Sequence, residues 1–163
     1  MKGKTVARFG LLIALALVLS YLESLLPLSF GVPGIKLGLP NLVVIFALYR
    51  LSPRSAAAVI SLLRVLLVSV LFGSVMSLAY SAAGAVLSFL VMWVLKRSGK
   101  FGCTGISVAG AVAHNFGQIL TAAVLLETSR LTWYLPVLCV SGTAAGICIG
   151  LLSALLIKRI KMN

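Results

Sequence analysis

The sequence predicts an all-α integral membrane protein, and three observations carry that prediction. Hydrophobic residues fill 61% of the 163 positions, and the mean hydropathy is +1.19. Charged residues make up 10% of the chain, against about 25% in soluble domains. Disordered chains are poor in apolar residues, so disorder is excluded as well. The apolar positions also gather into long runs divided by short basic segments. Fourteen Lys or Arg stand against two acids, Glu23 and Glu127, and there is no Asp. Most Mg²⁺-dependent phosphoryl or diphosphate chemistry is thereby excluded, because it needs several oxygen ligands around a hard cation.

A transmembrane helix needs about 20 mostly apolar residues to cross roughly 30 Å of hydrocarbon. Residues 9–26 form the first predicted span. Lys2, Lys4 and Arg8 before it resemble the start of a signal peptide. However, Ser20-Tyr21-Leu22-Glu23-Ser24 offers no small-x-small cleavage site, so the span is expected to be retained. Residues 37–51 reach only about 22 Å as a helix, with Pro33, Gly34, Gly38 and Pro40 before or at their start. They predict a second span that is short or broken. Between Arg54 and Lys96 lie 41 residues with one charge, Arg64, and a Gly73–Ser74 break, which predicts spans at 55–72 and 76–95. Spans at 104–126 and 133–157 complete six.

The distribution of positive charge tests that count. With the N-terminus inside, the cytoplasmic segments hold Lys2, Lys4 and Arg8; Arg50 and Arg54; Lys96, Arg97 and Lys100; and Lys158, Arg159 and Lys161. Those are eleven of the fourteen basic residues. Only Lys36 and Arg130 fall outside, and Arg64 lies within the membrane. Both termini are therefore expected in the cytoplasm of a prokaryotic cell, with the chain multi-pass in the plasma membrane. The net charge of +12 then reflects topology and contact with anionic lipid. Division of the basic residues among four segments argues against nucleic acid as a partner. Residues 1–163 are read as one helical domain, about half the size of a transporter built from repeated halves. Cys103, Cys139 and Cys148 have neither metal nor disulfide spacing and read as small packing residues. No metal site or cofactor is expected.

Helices in lipid associate through small residues that let backbones approach. The fifth span offers Gly105, Ala109, Ala113 and Gly117, and the sixth Gly142, Gly146, Gly150 and Ala154. The fourth offers Ser77, Ser81 and Ala85 on one face, with Gly84 and Ser88 on the next. All three read as contacts inside the bundle. The first span carries two small pairs, Gly10/Ala14 and Ala16/Ser20, for which docking of a partner helix competes with internal contact.

Polar groups at membrane depth are costly, so each is a candidate for function. Arg64 lies near mid-bilayer and requires an anion or carbonyls facing it. Two readings stand: a structural bond to carbonyls or Glu23, and a ligand-facing role. His114, Asn115 and Gln118 fall on adjacent strips of one helix face, and serve either interhelical hydrogen bonding or a ligand. Pro33-Gly34-Ile35-Lys36-Leu37-Gly38-Leu39-Pro40-Asn41 precedes the short second span. Free N–H groups at that helix start, Lys36 and Asn41 as its cap compose either a cradle for an anionic or polar group or an ordinary loop.

That segment, together with His114-Asn115-Phe116-Gly117-Gln118, resembles the heptaprenyl diphosphate synthase component I family, also called the Gx transporter family. The resemblance covers nearly the whole chain; the family pattern has Ala where Pro40 precedes Asn41. The family is similar to the substrate-binding S components of energy-coupling-factor transporters. This implies a non-catalytic subunit that captures a small polar or anionic nutrient with Lys36, Asn41, Arg64, His114, Asn115 and Gln118. It also implies a T component and two ATPases as partners, docked through Gly10, Ala14, Ala16 and Ser20. ATP hydrolysis would fall to the partners, since no phosphate-binding Gly-x-x-x-x-Gly-Lys loop is present. The alternative follows the family's label: a membrane component of a prenyl diphosphate synthase in menaquinone or isoprenoid synthesis. A chain without Asp lacks the Asp-rich motifs of prenyl elongation, so that component would also be non-catalytic.

Overall fold

The computed structural model describes residues 2–25, 37–52 and 55–160. Among them are six α-helices, α1 (Lys2–Leu25), α2 (Leu39–Arg50), α3 (Ser55–Phe72), α4 (Val75–Ser98), α5 (Cys103–Leu125) and α6 (Leu135–Arg159), with no strand. A 3₁₀ turn at Ser129–Tyr134 leads into α6. All of these helices except α2 are long and apolar enough to cross a membrane. The chain is accordingly a multi-pass, all-helical membrane protein.

Local chemistry sets the boundaries. Pro136 stands in the first turn of α6 and Pro40 in that of α2, where the missing N–H costs nothing. The Gly73–Ser74 break separates α3 from α4, and the Ser74 hydroxyl caps α4 by accepting from the Ser77 N–H at 3.2 Å. Basic residues close α2, α4 and α6: Arg50, Lys96 with Arg97, and Lys158 with Arg159. Helix C-termini favour such charges.

Helix α2 is capped differently from the sequence expectation. Gly38, not Asn41, occupies the N-cap position, and its φ of 74° is left-handed, a conformation glycine adopts without steric cost. Asn41 lies inside the first turn, its N–H bonded to the Gly38 carbonyl at 2.9 Å. In place of a capping side chain on α2, the Glu23 carboxylate at the end of α1 accepts the Gly38 N–H.

Around the bundle the neighbours run α1, α3, α4, α5, α6 and α2, and α2 also touches α1, α3 and α5. This central position explains the composition of α2. Every residue from Val43 to Leu48 is buried, and a helix that is apolar all round belongs in the interior. The core gathers toward one end of the bundle, where Leu12, Val44, Leu48, Ile60, Met92 and Ile106 cluster. At that end the Arg50 guanidinium donates to the Ile157 carbonyl, and the Lys96 ammonium donates to the Leu48 carbonyl. Both bonds satisfy carbonyls in last helical turns. The Lys96 ammonium also lies 3.8 Å from the centre of the Tyr49 ring, a cation–π contact.

The small-residue faces are used unevenly. The α6 ridge lies directly on α5: a Cβ added at Gly142, Gly146 or Gly150 would come within 2.7 Å of Asn115, Val108 or Thr104. The reciprocal surface of α5 is therefore Thr104, Val108, Ala111 and Asn115 rather than the expected Gly105 ridge. Gly105 is exposed, and only Gly117 of that series is buried, against Gly84 of α4. On α1, Ala16 is 0% exposed and Ser20 8%. These two belong to the interior, whereas Gly10 and Ala14 face outward.

Candidate functional site

The end of the bundle opposite the apolar core holds a partly open cavity of about 420 Å³. Every α-helix contributes to its walls. Ser20, Glu23 and Ser24 come from α1, and Pro40 and Asn41 from α2. Arg64, Val65, Val68, Ser69 and Phe72 come from α3, and Ser77 and Ser81 from α4. Ser107, Ala111, His114, Asn115 and Gln118 come from α5, while α6 presents Gly142, Ala145, Gly146 and Ile149. On α1, α4 and α5 the polar wall residues recur at three- and four-residue spacing, as in Ser20/Glu23/Ser24, Ser77/Ser81 and His114/Gln118 with Asn115, which places them on one face.

Arg64, Asn41, His114, Asn115 and Gln118, the described members of the set expected from sequence, line this one cavity. Lys36 lies outside the described residues. The Arg64 Nε is buried and has no hydrogen-bond partner, which is costly for a guanidinium. Two of the α5 residues are tied to neighbouring helices. The Asn115 Nδ2 donates to the Leu138 carbonyl of α6 at 2.7 Å, and the Gln118 Nε2 approaches the Ser81 hydroxyl of α4 at 3.4 Å. The first bond is short and well formed, whereas the second lies beyond the usual range. Asn115 is thus held as part of the wall, and Gln118 is the more readily turned toward a ligand.

The close approach at Gly84 has a direct bearing on the site. A Cβ there would lie 2.8 Å from the His114 carbonyl and 2.7 Å from the Gln118 Cγ. A glycine at this point lets α4 and α5 close together behind the two polar side chains.

Sequence reasoning omitted Glu23 and six serines, Ser20, Ser24, Ser69, Ser77, Ser81 and Ser107, from the site. Single serines are ordinary in membrane helices, so each alone carries little signal. The recoverable signal lay in register on α5, where Ser107, Ala111, His114 and Gln118 continue one face at three- and four-residue spacing.

The family model for heptaprenyl diphosphate synthase component I matches residues 12–156. The chain belongs to that family. No curated protein and no solved structure matches it. As a component I chain it is a subunit of a larger assembly and not itself an enzyme. The matched segment contains every α-helix except the first turns of α1 and the last residues of α6, and all the described walls of the cavity.

Proposed function

We propose that this chain is the ligand-capturing membrane subunit of a multi-component assembly. The observation that carries the reading is the unpartnered Arg64 Nε at the wall of a polar, partly open cavity. A buried guanidinium N–H without an acceptor is poised for an incoming one. Lys36, Asn41, His114, Asn115 and Gln118 complete the proposed site, with Lys36 supplying a second cation. The cavity end is proposed to face outward, since Arg50, Lys96, Arg97, Lys158 and Arg159 gather at the other end and positive charge remains in the cytoplasm. With that orientation the reading is of six spans, the second short, with both termini cytoplasmic in the plasma membrane.

Two kinds of partner fit a subunit of this type. The family's description favours a prenyl diphosphate synthase, to which this chain would be the non-catalytic membrane component. The cavity favours an importer, in which captured ligand passes through a T component driven by two ATPases. Five of the six helices contribute polar side chains to its walls, and α6 contributes only small or apolar ones, a lining that suits a small hydrophilic molecule better than a prenyl tail. Affinity purification from the native host in mild detergent, with mass spectrometry of copurifying proteins, separates the two. Recovery of a T component with ATPases supports the importer. Recovery of an Asp-rich synthase, with synthase activity dependent on this chain, supports the description and overturns the importer.

A further inference from the structure

We infer that the cavity selects a small zwitterion, a molecule carrying both an ammonium and an acidic group. This rests on the ligand-capture reading above and narrows the ligand class. Glu23 and Arg64 line the same cavity from α1 and α3. Glu23 was expected only as a structural counter-ion, yet one of its oxygens, Oε1, is engaged by the Gly38 N–H. A carboxylate oxygen accepts more than one hydrogen bond, and the second oxygen adds further capacity. On the α3 wall of the same cavity the buried Arg64 Nε has no hydrogen-bond partner. The described walls therefore present a cationic group, Arg64, and an anionic group, Glu23, to one cavity.

This balance discriminates among ligands. A simple anion gains attraction from Arg64 but meets repulsion from Glu23, and a simple cation meets the reverse. A zwitterion oriented with its acid toward Arg64 and its ammonium toward Glu23 satisfies both. The surrounding Asn41, Ser69 and Ser77 can accept or donate the remaining hydrogen bonds. Because Glu23 also accepts the Gly38 N–H, occupation of its carboxylate bears directly on the contact between α1 and the start of α2.

The test is binding to the full chain in lipid nanodiscs, measured by calorimetry and thermal unfolding. The probes are a panel of L-amino acids, γ-aminobutyrate and the dipeptide Gly-Gly. Their N-acetylated (acid only) and amidated (ammonium only) forms, together with inorganic diphosphate, complete the set. The proposal expects a zwitterionic probe to bind and both blocked forms of it to bind at least tenfold more weakly. Glu23→Gln keeps an oxygen for the Gly38 N–H but removes the charge. It should abolish discrimination against the acid-only form while the protein remains folded. Arg64→Gln should weaken the zwitterion at least tenfold, and Arg64→Lys should restore part of the loss.

Binding of diphosphate or acid-only probes in preference to zwitterions, dependent on Arg64 and indifferent to Glu23→Gln, overturns the zwitterion proposal and leaves the capture site standing. Failure of every probe to bind overturns the zwitterion proposal. If the host-purified chain also carries no small molecule, the capture reading fails with it.

Discussion

At the scale of single residues, the cavity depends on side chains whose partners lie on other helices. Asn115 illustrates this. Its amide reaches the Leu138 carbonyl at 2.7 Å, passing over Gly142, where an added Cβ would sit 2.6 Å from the same amide nitrogen. Gly142→Ala should therefore displace Asn115 and destabilise the bundle by about 1–3 kcal/mol, the usual range for overfilling a close contact. Thermal unfolding in detergent, compared with Ala145→Gly in the next position along the wall, checks the expectation. The charged lock at the opposite end makes a second residue-scale prediction. Arg50→Ala removes the donor to the Ile157 carbonyl and should cost about 2 kcal/mol, in keeping with hydrogen bonds from charged groups. The same unfolding assay reads it.

At the scale of helices, α1 carries the sharpest contrast between inward and outward small residues. A Cβ on Gly10 would meet nothing within 4 Å, and Ala14 is exposed, whereas Ala16 is fully enclosed. Gly10→Leu and Ala14→Leu should thus leave the melting temperature of the isolated chain unchanged, while Ala16→Leu should lower it by several degrees. If α1 docks a partner helix, the two outward variants should also reduce copurification of partners from the host membrane. Unchanged copurification would remove Gly10 and Ala14 from the proposed contact.

The helices were legible in the sequence because apolar length and its interruptions are local properties. The third span, bounded by a proline–arginine pair and a Gly–Ser break, appears in the structure at the expected residues, 55–72. What sequence could not supply was the identity of each helix's neighbours. Gly105 and Gly117 share a small-residue periodicity, yet one faces outward and the other meets Gly84. The cap of α2 was missed for the same reason. Its acceptor, Glu23, comes from fifteen residues upstream and reaches Gly38 only through tertiary contact.

At the scale of the molecule, the bundle divides into an apolar end and a polar end. Leu12, Val44, Leu48, Ile60 and Met92 fill the first, and the cavity with Glu23 and Arg64 occupies the second. Such a division suits a receptor open toward one side and sealed toward the other. It also makes the orientation testable. Single cysteines at Thr128 and Ser98, introduced after Cys103, Cys139 and Cys148 are replaced by Ala, should react differently with a membrane-impermeant thiol reagent in intact cells. Thr128→Cys should be labelled and Ser98→Cys protected. Labelling of Ser98→Cys alone would invert the orientation and place the cavity toward the cytoplasm.

The candidate site was partly legible as well. Arg64 and the His114-Asn115-x-x-Gln118 set stood out because polar groups are rare within membranes, and they line one cavity with Asn41. The serines of the wall did not stand out, because a hydroxyl hydrogen-bonded within its own helix, as Ser20 is to the Ala16 carbonyl at 2.8 Å, is ordinary in any apolar helix.

The most direct measurement is mass spectrometry of small molecules released from the chain after purification from its native membrane, for wild type and Arg64→Gln side by side. Circular dichroism and thermal unfolding would establish that both are folded. The account predicts a small polar molecule near equimolar with the wild-type chain and absent from Arg64→Gln. The same molecule retained in equal yield by the variant, or only phospholipid released from both, would contradict it.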